Sequence, residues 1–249
     1  MRDRLIDLDG PANFRDLGGY ETREGRWVRS GRVFRSDSLS YMSDADVAHV
    51  VEVLGLRTVI DLRAGHEVDE FSHGPLEAEG VVFHHLPIID ETREPPDAVR
   101  DAERDRPIGL DEIYLLMLEH FGPRFAAVLR VIARAEDHPL VFHCAAGKDR
   151  TGLVAALVLG LLDVDSDIVA ADYAMTAERM PVMIERHRDR RDRHGVGVEV
   201  AEQHYEARAD AMHAVLDHLV ATHGSVERYV LAEGVTPASI AALRAALLE

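Results

Sequence analysis

Apolar positions in this chain fall into short blocks whose spacing changes along its length. Thr58-Val59-Ile60-Asp61-Leu62 is a compact apolar run between two arginines, the pattern of a buried strand, and Val81 to Leu86 reads as another. Val33-Phe34 reads as a short strand after the turn-rich stretch from Gly18-Gly19 to Gly31. Leu140-Val141-Phe142 is a further strand, and it runs straight into His143-Cys144. Ser43 is the expected N-cap of a helix over Asp44 to Leu54, closed by Gly55. Leu110 to His120 and Pro123 to Ala135 are expected as two helices, and the polar, Pro-rich stretch Pro87 to Pro107 as a long surface loop.

Beyond Cys144 the pattern becomes helical. Thr151 to Leu162 is apolar nearly all round, as in a helix buried against a sheet. Helices are then expected over Ser166 to Ala174, Glu178 to His194, Val198 to Thr222, Val226 to Ala232 and Pro237 to Leu248. Strands alternating with helices predict an α/β fold: a central, mainly parallel sheet flanked by helices on both faces. The expected organisation is a single domain over residues 1–249, with an α/β core at 1–165 and a helical extension at 166–249.

Composition narrows the function. A formal charge of −17 argues against nucleic-acid binding, which needs Lys and Arg against phosphates. The longest apolar stretch, Leu153 to Leu162, is too short to span a bilayer, and the N-terminus lacks a signal-peptide pattern. A cytoplasmic protein is expected. The single cysteine, Cys144, rules out an internal disulfide framework. The single lysine, Lys148, stands four residues after it, in a chain that otherwise uses 27 arginines.

With so many arginines, Cys-x5-Arg alone is a weak signal; its context strengthens it. The segment His143-Cys144-Ala145-Ala146-Gly147-Lys148-Asp149-Arg150-Thr151-Gly152 lies between an apolar strand and a buried helix. Small residues there let successive backbone N–H groups point into one concavity, and the helix N-terminus adds partial positive charge. Such a bowl suits a phosphate dianion. Gly147 can take φ > 0, and Arg150 can bind two phosphoryl oxygens at once. Cys144, at the base of this positive field, is expected to act as a thiolate nucleophile without an adjacent base. His143 is expected to orient the loop. Thr151 either caps the helix or eases breakdown of a phosphoenzyme.

The string His-Cys-x-x-Gly-x-x-Arg-Thr-Gly resembles the signature of protein tyrosine and dual-specificity phosphatases. The fuller Gly-Lys-Asp-Arg-Thr-Gly is similar to the bacterial group typified by the mycobacterial tyrosine phosphatase B. The similarity continues through Asn13-Phe14-Arg15-Asp16-Leu17-Gly18-Gly19, Phe34-Arg35-Ser36, Asp61-Leu62-Arg63 and Ala171-Asp172-Tyr173. It implies a cysteine-phosphatase-like fold and hydrolysis of phosphate monoesters through a phosphocysteine on Cys144. It also implies phosphate held by residues 144–150, no metal and no cofactor. The substrates implied are phosphoproteins carrying phosphotyrosine or phosphoserine/threonine, and phosphoinositides, with inorganic phosphate as product. Lys148 and Asp149-Arg150-Thr151 resemble the loop of lipid phosphatases, but Ala145 stands where some of those carry another Lys.

The leaving group needs a proton, usually from a loop carboxylic acid. The Trp-Pro-Asp loop of other tyrosine phosphatases is absent, since the only Trp is Trp27. Asp90, which follows a predicted strand, is one candidate; Asp149, inside the loop, is the other. Asp61 and Arg63 are expected to form a structural ion pair. Residues 178–194, with Met180, Val182, Met183 and Ile184 ahead of Arg186, Arg188, Arg190, Arg191 and Arg193, are a candidate lid; a solvated amphipathic helix is the alternative. Two other classes remain open. A sulfurtransferase or arsenate reductase would need no Arg-Thr-Gly or would want more cysteines. A non-catalytic phosphate-binding module would be marked by loss of Cys144 or Arg150.

Overall fold

A computed structural model describes residues 4–89, 109–183, 185 and 206–249. Its centre is a five-stranded sheet: β1 (Arg15–Asp16), β2 (Val33–Ser36), β3 (Thr58–Asp61), β4 (Val82–His85) and β5 (Leu140–His143), in the order β1-β2-β5-β3-β4. Only β1 runs antiparallel; the other pairings are parallel, as the alternation of strands and helices predicts. The register aligns Ser36, His143, Asp61 and His85 side by side at the carboxyl edge of the sheet. That is the edge where parallel sheets present their ligands.

Helices cover both faces because successive strand residues point to opposite sides. Phe34, Val59 and Val141 pack into one apolar cluster with Phe14, Leu39, Val47 and Val50. Val33, Ile60, Leu140 and Phe142 pack into the other, larger one. The first cluster is closed by α1 (Asp44–Ala48), which begins at Ser43 with reciprocal capping by Asp46 and ends in a π-helical turn over His49–Val53. The expected helix through Leu54 is therefore one residue shorter and underwound at its end, with Gly55 at φ 66° turning the chain. A short helix absent from the sequence expectations, α2 (Gly65–Phe71), follows β3.

The larger cluster holds α3 (Leu110–Ile132), α4 (Asp149–Leu161), α5 (Ser166–Ala174), α6 (Ala209–His223), α7 (Val226–Ala232) and α8 (Pro237–Leu247). Its apolar contacts run without a break from Leu17 to Leu248, so the described part of the C-terminal extension shares the core of the sheet domain. The two helices expected over Leu110–His120 and Pro123–Ala135 are both present within α3, meeting at a kink at Phe121 (φ −120°, ψ 16°). Pro123, two residues on, removes one backbone donor, and the break at Phe121 absorbs the clash. The strand expected to be buried at Val81–Leu86 is instead the sheet edge, with Val82 52% exposed. Its Val-Phe-His-His sequence suits that half-wet position.

A cavity of about 580 Å³ opens at the far end of α4, between Thr22–Arg26 and Leu216–Val226, and Cys144 is not in its lining. Among the described residues no helix is long and apolar enough to cross a membrane.

Because α4 is buried on every side, truncating it is expected to be expensive. Leu157→Ala, at a residue 1% exposed, should destabilise the protein by about 2–5 kcal/mol, measured as a lower urea midpoint with an unchanged denaturant slope.

Candidate active site

Strand β5 stops at His143 and α4 starts at Asp149, so the chain turns between them at the carboxyl edge of the sheet. Gly147 sits at φ 64°, and a Cβ there would lie 2.6 Å from the Ser36 carbonyl oxygen. Only glycine satisfies both constraints. The loop carbonyls point outwards into donors: Ala145 accepts from the Ser38 N–H at 3.0 Å. Gly147 accepts from Arg35 Nη2 at 2.9 Å and from Asn13 Nδ2 at 3.2 Å. The N–H groups of Ala145, Ala146 and Gly147 donate to no acceptor among the described residues. Cys144, 2% exposed, lies where this loop leaves the sheet.

Arg150 comes from the first turn of α4, and Glu67 on α2 grips it with both carboxylate oxygens, Oε1 accepting from Nη2 at 2.9 Å and Oε2 from Nη1. Glu67 Oε2 also accepts the Ala64 N–H at 2.8 Å, so the carboxylate caps its own helix while holding the arginine. Burial opposes the charge on Arg150, but Glu67, with Cys144 and Asp149 nearby, raises its pKa above the ordinary value. Burial would raise the Glu67 carboxyl; the Arg150 pairing holds it below the usual carboxylate range.

Behind the loop lies a buried ionic cluster. Asp172 on α5 accepts from Arg35 Nη1 at 2.6 Å, from Arg15 Nε at 3.3 Å and from the Tyr20 hydroxyl at 3.0 Å. Arg15 also donates to Asn13 Oδ1 and to the Thr176 hydroxyl. Arg15, Arg35 and Asp172 are each at most 1% exposed. Burial pushes Asp172 up, but the two guanidinium groups win and hold it at about 2. Burial, with Arg15 adjacent, lowers Arg35 to about 10.

Beside the loop, Asp61 pairs with Arg63 through Oδ2 at 2.6 Å and with His73 Nδ1 at 3.0 Å, while His143 Nε2 is 3.7 Å away. Asp61 and Arg63 thus form the structural pair expected of them. Burial raises the Asp61 carboxyl, yet His143 and Arg63 hold it well below the usual range. His143, fully buried, has its pKa lowered chiefly by desolvation and sits with Nδ1 3.1 Å from the Cys144 carbonyl oxygen. Lys148 is 2% exposed, with Nζ 3.3 Å from Asp149 Oδ1 and donating to the Glu206 carbonyl at 3.4 Å. Asp149 Oδ1 also accepts from the Tyr114 hydroxyl at 2.6 Å. The Thr151 hydroxyl is buried and makes no hydrogen bond among the described residues.

A family model described as the tyrosine phosphatase family matches residues 6–249. The chain belongs to the tyrosine phosphatase family. It is 31% identical to a Cupriavidus necator protein assigned as a tyrosine-protein phosphatase, over 90% of this chain and 82% of that one. It is 28% identical to the triple specificity protein phosphatase PtpB of Mycobacterium tuberculosis, over 97% and 98% of the two chains. Among solved structures, the core catalytic domain of the PP-IP phosphatase SIW14 from S. cerevisiae aligns over 68% of this chain and 78% of that one, at 16% identity and a TM-score of 0.41. The protein is therefore a cysteine-dependent phosphatase on a mainly parallel sheet flanked by helices, acting on phosphorylated substrates.

His143 through Thr151 occupy the end of β5, the turn after it and the first turn of α4. Asp90 lies outside the described residues, as do Arg186 to Arg193 of the candidate lid; of that segment, Met180 and Met183 are buried and residues 180–183 are helical. Sequence reasoning missed Glu67 and Tyr114. Both sit in segments without a chemical motif, and neither spacing nor composition connects them to the loop. Asn13, Arg15, Arg35 and Asp172 were noticed only as similarity; in the fold they hold the loop from behind.

Asp172 carries two buried arginines, so its neutralisation is expected to be severe. Asp172→Asn should cost about 3–5 kcal/mol by leaving uncompensated buried charge. A depressed carboxyl contributes stability that is present above its ordinary value of 3.8 and lost as pH falls towards about 2. Wild-type unfolding free energy should fall across that window, and Asp172→Asn should lose this part of the slope.

Proposed function

We propose that this phosphatase transfers the phosphoryl group of a phosphoprotein, phosphotyrosine first, to Cys144 and then to water. The Cys144 sulfur attacks phosphorus and the ester P–O bond breaks. The leaving oxygen takes a proton, a water molecule attacks the phosphocysteine, and the P–S bond breaks to release inorganic phosphate. The observation that carries the reading is the turn after Cys144, where the N–H groups of Ala145, Ala146 and Gly147 have no acceptor among the described residues and Arg150 is held by Glu67. Lys148, Asp149 and Arg150 complete the phosphate-binding turn, with His143 and Thr151 in support. Transition-state charge is met by the Arg150 fork and the backbone donors.

Asp90 is assigned the proton donor. What supports this is the state of its rival, since Asp149 serves as acceptor to both the Tyr114 hydroxyl and the Lys148 ammonium. Phosphoserine/threonine and phosphoinositides are further substrate classes, supported by similarity to a protein phosphatase named for triple specificity. Phosphoinositide hydrolysis as the main activity is disfavoured because Lys148, the one lysine of the loop, is buried and engaged. We read residues 1–249 as one working domain, and a nucleophile that must stay reduced suits the cytoplasm.

The direct test is release of inorganic phosphate from p-nitrophenyl phosphate without added metal or thiol acceptor; no release overturns the reading. Cys144→Ser should lose at least ~10³-fold in rate, and Arg150→Lys about 10²-fold in kcat because it keeps charge but not the fork.

The acid assignment has its own test. Asp90→Asn should spare aryl phosphates with good leaving groups and slow alkyl phosphates, measured as a steeper dependence of kcat on leaving-group pKa. If Asp149→Asn shows that selectivity instead, the two roles are exchanged.

A further inference from the structure

Tyr114 stands on α3, 35 residues before Asp149, yet its hydroxyl reaches Asp149 Oδ1 at 2.6 Å. The same hydroxyl lies 2.7 Å from the Tyr173 hydroxyl. A phenol has one proton; given to Asp149, it leaves the Tyr114 oxygen as acceptor, so Tyr173 is the donor behind it. Tyr114 and Tyr173 are 0% and 1% exposed, with rings edge to face at 5.9 Å. The Tyr173 ring in turn lies against Gly152, where a Cβ would come within 2.9 Å of it. The chain Tyr173–Tyr114–Asp149–Lys148 therefore ties α5 and α3 to the first turn of α4 with little freedom.

Asp149 is the one carboxylate within the loop string, and its side chain is 38% exposed at the lip of the anion site. A carboxylate free to turn towards a bound phosphate dianion would oppose binding. We propose that Tyr114 is a positioning residue that pins the Asp149 carboxylate against the Lys148 ammonium and so keeps its negative charge away from the phosphate. This rests on the assignment of residues 144–150 as the phosphate site. Burial and the adjacent Asp149 charge raise the Tyr114 hydroxyl well above its ordinary value, so it remains a donor throughout the working pH range.

The test is a double-mutant cycle in the full chain, read by calorimetric binding of inorganic phosphate and by steady-state kinetics. Tyr114→Phe should weaken phosphate binding and raise KM about 3- to 10-fold, with kcat changed less than about 3-fold. In the Asp149→Asn background the same substitution should have no further effect, because the charge it releases is gone. A hydroxyl with a merely structural role would weaken both backgrounds alike, and that result, or an unchanged KM in Tyr114→Phe, overturns the proposal. If Tyr114→Phe does not fold cooperatively, Asp149→Asn alone decides: it should bind inorganic phosphate at least as tightly as wild type, and weaker binding overturns the proposal. Phosphate binding by wild type without turnover of p-nitrophenyl phosphate would fail the hydrolase reading while leaving this one open to the same cycle.

Discussion

A guanidinium group deprived of water must place its charge somewhere, and Arg35 places it on Asp172 through Nη1 while Nη2 donates to the Gly147 carbonyl. The remainder of the site depends on that constraint. Arg35 and Asn13 together fix the Gly147 carbonyl. Asp172 can accept from two buried arginines only because α5 returns to the back of the loop. The buried charges are costly to assemble and more costly to break, which suits a loop that must keep one shape before any phosphate arrives.

Two carboxylates then divide the labour at the front. Glu67 grips Arg150 in the two-point geometry that a guanidinium prefers, so its orientation is set in advance of substrate. Asp149 is held by a phenol and an ammonium, and its negative charge is thereby accounted for within the protein. The difference lies in the partners, since both groups are simply carboxylates near an anion site. On the proposed reading the loop works through preorganisation: its N–H groups lack acceptors among the described residues, and the carboxylates beside it are already paired.

The helical C-terminal part is bound into the same arrangement. Asp172 and Tyr173, adjacent on α5, reach respectively the arginines behind the loop and the tyrosine beside it. Lys148 reaches the Glu206 carbonyl. Loss of α5 would therefore disturb the proposed phosphate site before it disturbed the sheet, whose strands bond to one another.

Local information in the chain determined the strand, loop and helix around Cys144. An apolar run, small residues and an apolar helix are properties of neighbouring positions, and Cys144, Gly147 and Arg150 could be read together because they lie within one turn. Ser43 and Gly55 marked the limits of their helical segment for the same reason, although the π-helical turn inside it was not visible. The edge position of β4 was decided by its neighbours in space. Glu67 and Tyr114 depend on tertiary structure entirely, being 83 and 35 residues from their partners in the loop. A buried ionic or hydroxyl partner is chosen by whichever element the fold lays against the site, and the sequence carries no periodic pattern that records such a choice.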